Sequence, residues 1–153
     1  MRLIVLLGAI SAILAACSST VEPLDGPLHL TVHVERPTIQ LGDSTAVTIT
    51  LRNISPRPVT FTTGGCVLLP YITAQTSGEI VYPSNGSWVC TLNPVRKTLA
   101  SGDTESQRLT VRGADAPAPF GAAALGRGHY LVYATLQSSQ YPLRAVSTPL
   151  TIE

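Results

Sequence analysis

Apolar and polar residues alternate with a period of two through most of the chain beyond residue 27. Leu28, Leu30, Val32 and Val34 alternate with His29, Thr31 and His33, the pattern of a half-buried strand. Pro37 ends it, and Ile39 and Leu41 make a short extension before a turn at Gly42-Asp43. Val47, Ile49 and Leu51 alternate with Thr48, Thr50 and Arg52 in a second strand, and Asn53-Ile54-Ser55-Pro56-Arg57-Pro58 is a turn cluster. Val59–Thr63 is a third strand with Val59 and Phe61 toward the core, and Gly64-Gly65 is expected to break it. Tyr71–Gln75 and Glu79–Tyr82 flank Thr76-Ser77-Gly78 as a hairpin. Pro83–Asn93 is irregular, and Ser101-Gly102-Asp103 turns the chain into a strand at Ser106–Val111. Gly113–Arg127 is a long loop rich in Ala, Pro and Gly. His129–Leu136 then places Tyr130, Val132, Ala134 and Leu136 on one face. Gln137–Pro142 turns, and Ala145–Ile152 closes the domain with Val146, Leu150 and Ile152 inward. Pro149 points outward there and cannot donate to a ladder, so this last strand lies at an edge or carries a bulge.

Seven or eight such strands without a helical stripe predict an all-β fold, an immunoglobulin-like antiparallel β-sandwich over residues 28–153. Gly128-His129-Tyr130 puts a tyrosine at the start of a late strand, the place of a tyrosine corner whose hydroxyl bonds to nearby backbone. Val132 stands two residues later, where antibody domains carry a cysteine, so the antibody disulfide is absent from its usual place. The order of segments carries a family resemblance. Leu28–Val34 is followed by Leu51-Arg52-Asn53-Ile54-Ser55 and Pro58-Val59-Thr60-Phe61. Then come Ser77-Gly78-Glu79-Ile80-Val81-Tyr82, Leu99 with Ser101-Gly102-Asp103, and Gly128-His129-Tyr130-Leu131-Val132. This order resembles the intracellular proteinase inhibitor (BsuPI-type) family from about Leu28 to Ile152. The resemblance implies a non-enzymatic immunoglobulin-like domain, with protease inhibition as the name-giving activity of one branch. No reactive-site residue carries over.

The first residues follow a different pattern. Met1-Arg2 is a short positive start, Leu3–Leu14 is almost wholly apolar, and Leu14-Ala15-Ala16-Cys17 follows. That is the layout of a secretory signal peptide over residues 1–16. As a helix the apolar stretch would reach about 18 Å, against a hydrocarbon core of about 30 Å, so a spanning helix is the weaker reading. Leu-Ala-Ala-Cys at the end of the apolar stretch resembles the bacterial lipobox. The resemblance implies diacylation of the Cys17 thiol, cleavage before it and a membrane-lipid anchor. More than one acyl chain anchors stably where a single chain does not. Ser18 after the cysteine resembles outer-membrane sorting in enterobacterial lipoproteins. Residues 17–27, with two prolines and a glycine, read as a tether, and the chain is expected in the bacterial cell envelope.

Composition narrows the function classes. The 153 residues suit one domain, and Lys+Arg 10 against Asp+Glu 9 is too balanced for a nucleic-acid partner. Hydrophobic residues at 44% rule out a disordered tail. Once Cys17 is acylated, Cys66 and Cys90 remain, 24 residues apart, in an oxidising compartment. A disulfide is the expected outcome, tying Pro83–Asn93 to the end of the third strand. A metal or redox pair is the lesser alternative, since there is no CxxC and no nearby His. His29 and His33 share a strand face but stand about 13 Å apart, too far for one ion. Asp43 and Asp103 each follow glycine in a turn, where a carboxylate accepts backbone hydrogen bonds. No nucleophile elbow, zinc-protease helix or phosphate loop occurs. No enzyme activity, cofactor or metal is therefore expected. Trp88, with Tyr82 and Val89, sits in a Ser/Asn/Gly-rich loop, and Phe120 lies in the second long loop. These four residues are the candidate protein-binding surface, and a tryptophan folded back over one open end of the sandwich is the alternative. The expected function is non-catalytic binding of another envelope or extracellular protein, with protease inhibition implied by the resemblance. A structural accessory of an envelope assembly is the second expectation.

Overall fold

Ten strands and no helix make up residues 26–115 and 122–153, which a computed structural model describes. They are β1 (Leu28–Val34), β2 (Thr38–Ile39), β3 (Ser44–Asn53), β4 (Val59–Ala74) and β5 (Ile80–Tyr82), then β6 (Val95–Leu99), β7 (Thr104–Gly113), β8 (Ala123–Leu125), β9 (Gly128–Ser138) and β10 (Thr148–Ile152). Residues 1–25 and 116–121 lie outside the description, and with them the signal peptide, Cys17, most of the tether and Phe120.

One sheet runs β1-β3-β7-β8 and the other β2-β10-β9-β4-β5, with β6 added to the first part of β4. Pairing is antiparallel except for two short parallel contacts, β2 with β10 and β7 with β8. The sheets face each other across a core that includes Val47, Ile49 and Leu51 of β3, Val111 of β7, and Phe61 and Ile72 of β4. Val132 of β9 and Leu150 of β10 complete it from the second sheet. The chain is an immunoglobulin-like β-sandwich, and the alternating residues of β1, β3 and β9 point as their periodicity predicts. The tyrosine corner is present: the Tyr130 hydroxyl donates to the Gly126 carbonyl at 2.9 Å.

Three expectations need correction. Gly113–Arg127 is not loop throughout: Ala123–Leu125 form β8, parallel to the end of β7. Gly64-Gly65 does not end the third strand. Thr63 pairs with Ser138 and Leu68 with Leu136, so Gly64–Val67 bulge out opposite the single residue Gln137 and β4 continues. Val146 does not face the core. It is 85% exposed, because β10 begins only at Thr148 and Ala145 takes the buried place, donating its N–H to Ala134. Pro149 keeps its edge position. Thr151 and Glu153 donate outward to Pro37 and Ile39, so the Pro149 nitrogen turns the same way, beyond the two-residue contact with β2.

Candidate functional site

The bulge in β4 organises the one side of the sandwich where the predicted site residues meet. Cys66 sits in it and forms a disulfide with Cys90, Cα to Cα 5.5 Å. The Thr63 hydroxyl donates to the Cys66 carbonyl at 3.1 Å and closes the bulge. Gly65 N–H donates to the Thr91 carbonyl at 3.0 Å. A Cβ on Gly65 would lie 1.9 Å from Thr91 Oγ1 and 3.0 Å from its Cβ. The glycine is thus required by the close approach of the 83–94 segment, which the disulfide and this bond together pin to the sheet.

Trp88 is held from a second direction. Ala74 donates to Glu79 and Gln75 to His129, so along β4 the even-numbered residues turn their backbone groups away from β9. Pro70, whose ring carries no N–H, therefore breaks no bond to β9. Its carbonyl faces the gap between β5 and β6, where Trp88 Nε1 donates to it at 3.0 Å. The indole meets the Tyr82 ring edge-on, centroids 5.4 Å apart. Tyr82 leans on the core, and burial pushes its phenol above the usual tyrosine range. Trp88 is half-buried, so the tryptophan folds back over the opening while still lining its surface.

The residues next to it are not folded back. Val89 is 90% exposed and Leu92 96% exposed, on either side of the pinned Cys90-Thr91 pair. Behind them a cleft of about 390 Å³ opens between the sheets, lined by Val67, Leu68, Leu69 and Trp88 on one side and Glu105, Ser106 and Gln107 on the other. Lys97 of β6 pairs with Glu105 of β7 across the two sheets. The structure thus joins Tyr82, Trp88, Val89 and the Cys66–Cys90 disulfide in one place, while Phe120 lies outside the described residues. Leu92 was not singled out from the sequence. The visible signal was its spacing, with Val89 and Leu92 flanking a cysteine that must turn inward to pair.

The other singled-out residues lie elsewhere. His29 and His33 are on the outer face of β1, across from Arg52 and Thr48. His129 Nδ1 lies 3.2 Å from the Thr151 hydroxyl. Asp103 accepts from Ala100 N–H at 3.1 Å in its turn, and Asp43 lies 3.9 Å from Arg36. Asn53, read from the sequence only as a turn residue, is fully buried and bonds to both the β3–β4 and the β6–β7 turns.

No protein-family model matches the chain, and no curated protein matches it in sequence. Solved structures share parts of its architecture at low identity. A CARDB domain from Pyrococcus furiosus, solved in complex with di-metal ions, has TM-score 0.49 and 10% identity over 82% of this chain and 87% of that one. An alkylpurine DNA glycosylase from Pseudomonas fluorescens, bound to DNA with an abasic site analog, has TM-score 0.46 and 16% identity over 83% of this chain and 30% of that one. A β-glucosidase from Erythrobacter marinus has TM-score 0.44 and 15% identity, and this chain spans only 15% of its length.

Proposed function

We propose that this chain is a lipid-anchored protein of the bacterial cell envelope whose sandwich binds another protein, without catalysis, through the surface around Trp88. The observation that carries the site is the pair Val89 and Leu92, 90% and 96% exposed on a backbone pinned by the Cys66–Cys90 disulfide and the Gly65–Thr91 bond. A pinned backbone that presents apolar side chains to water has little backbone freedom left to lose on binding, so less of their burial energy is spent on ordering the loop. Full burial of an aliphatic side chain is worth about 1.5–3 kcal/mol. The anchor rests on Leu14-Ala15-Ala16-Cys17 after an apolar stretch, and the direction of the binding on the BsuPI-type segment order. Within this class, inhibition of a protease is the finer reading that the resemblance supports.

The test is a crosslinking pull-down from the native envelope with the acylated chain as bait, read by quantitative mass spectrometry. The expected result is a partner crosslinked near Trp88 that is lost when Val89→Asp and Leu92→Asp are combined, with the thermal midpoint unchanged. Recovery of a protease supports inhibition. Recovery of an outer-membrane complex makes the chain an assembly subunit and removes the inhibitor reading. A partner held equally by the double variant refutes the site. In the same cells Cys17→Ser is expected to leave the membrane fraction, and a variant that stays there refutes the anchor.

A further inference from the structure

Beside the Trp88 cleft, the first half of β7 has one side without a partner strand among the described residues. Asn53 N–H donates to Asp103 and Gly113 N–H to Asp43, which sets the phase of the β3–β7 ladder: odd-numbered residues of β7 face β3. The N–H and C=O groups of Thr104, Ser106 and Arg108 therefore point to the other side. On that side β8 pairs only with Val111–Gly113. Among the described residues no strand pairs on that side with the stretch from Thr104 to Arg108, which β3 pairs on the other. Ser106, the middle of this open stretch, is also a wall of the cleft, whose far wall is Leu68 and Trp88. An open edge beside a recess whose far wall is apolar is an arrangement in which backbone bonds supply affinity and the recess selects a side chain.

We propose that the partner binds here as an extended segment added to the edge of β7, antiparallel to it, with one uncharged apolar side chain seated in the cleft against Leu68 and Trp88. This deepens the protein-binding reading and rests on it. The occupant follows from the chemistry of the walls. Glu105 of the cleft wall is neutralised by its pair with Lys97, so neither sign of charge is favoured in the incoming side chain. A second copy of β7 fits poorly, because its own core-facing residues at this level are Glu105 and Gln107 and would bring polar groups to Leu68 and Trp88. The matching strand carries apolar residues at alternate positions and outward polar residues between them. In an antiparallel addition those outward residues make the bonds to Ser106 and Arg108.

The probe is the end-blocked peptide Lys-Thr-Val-Thr-Phe-Thr-Val-Thr-Lys, compared with the same peptide N-methylated at the two threonines flanking Phe. Hydrogen exchange and titration are read on the full chain. On saturation the Ser106 and Arg108 amides are expected to slow by on the order of tenfold or more, while the β3-facing Gln107 amide does not change. Methylation is expected to weaken binding by on the order of tenfold, and so is Ser106→Pro, which removes an N–H that β3 does not use. The methylated peptide needs no protein variant, so the test survives if Ser106→Pro misfolds. No binding of the plain peptide at millimolar concentration overturns the proposal. So does equal binding of the methylated peptide, or self-association of the chain that protects the same amides. In the envelope pull-down, a partner captured equally by wild type and Ser106→Pro leaves the protein-binding reading standing and removes strand addition alone.

Discussion

Asn53→Ala tests the inter-turn tie that positions the whole site. Asn53 Nδ2 donates to the carbonyls of Arg57 at 2.8 Å, Leu99 at 3.0 Å and Ala100 at 3.0 Å. Its Oδ1 accepts from Ser55 N–H at 2.9 Å and from the Ser55 hydroxyl at 2.8 Å. One amide thus holds the β3–β4 turn to the β6–β7 turn, and with it the register of β6 under Lys97. Each such bond contributes about 0.5–1.5 kcal/mol net. Three partners are only part-buried and regain water in the variant, while the bond to Leu99 is buried, so the expected loss is about 3 kcal/mol. For a domain of this size that lowers the thermal midpoint by about 6–12 °C. Asn53→Asp sharpens the test at equal volume. Its carboxylate would face three carbonyl oxygens, so the folded state favours the protonated acid and raises its pKa above the unfolded value of about 3.9. The variant is then nearest to wild type below that value, and its deficit grows as pH rises through the folded pKa. Thermal melts by circular dichroism and Trp88 fluorescence at pH 4 and pH 7 measure both effects. A loss below about 1 kcal/mol in Asn53→Ala, or an Asn53→Asp deficit that does not grow with pH, would refute the assigned hydrogen bonding.

Gly65→Ala forces Thr91 away from the bulge and is expected to cost about 1–3 kcal/mol, partly recovered when Thr91→Gly is added; urea denaturation of both variants checks it. Replacing Cys66 and Cys90 together by serine is expected to cost at most about 3.5 kcal/mol, the chain-entropy value for a loop of this length. Its larger effect falls on residues 83–94, whose amides should exchange faster while those of β3 keep their order of protection. Tyr82 and Tyr130 have phenols raised by burial. The stability they contribute is present below about pH 10 and is lost as pH rises through the folded values, so an alkaline unfolding limb that Tyr130→Phe diminishes is expected in a pH titration.

The strands legible in advance were those with one clean buried face. β9 shows this best, since Tyr130, Val132, Ala134 and Leu136 all reach the core as their spacing indicates. β6 was missed because its middle inward position is Lys97, which breaks the apolar alternation and is tolerated only because Glu105 of the other sheet meets it. β8 was hidden inside a loop of small residues and pairs over just three positions. Gly64-Gly65 looked like a stop because two glycines permit a break and a bulge equally well. The choice depended on Thr91 and Gln137, far along the chain. At the candidate site, the cysteine pair and the aromatic loop were readable, but the cleft, Leu92 and the open side of β7 were not.

The sequence by itself determined a sandwich rather than a bundle, because a period of two buries one face of a strand and no helix can use it. It also pointed to the Cys66–Cys90 disulfide, which the structure contains, and to the tyrosine corner, since that bond is made within a few residues. Tertiary structure alone decided which strands became neighbours and which edge stayed open. It likewise turned a turn asparagine into a buried tie between sheets and kept Val89 and Leu92 in water while Trp88 folded back. Those outcomes come from contacts between residues far apart in the chain, where the closeness of two backbones and the pairing of a half-buried charge are set by packing that local periodicity does not encode.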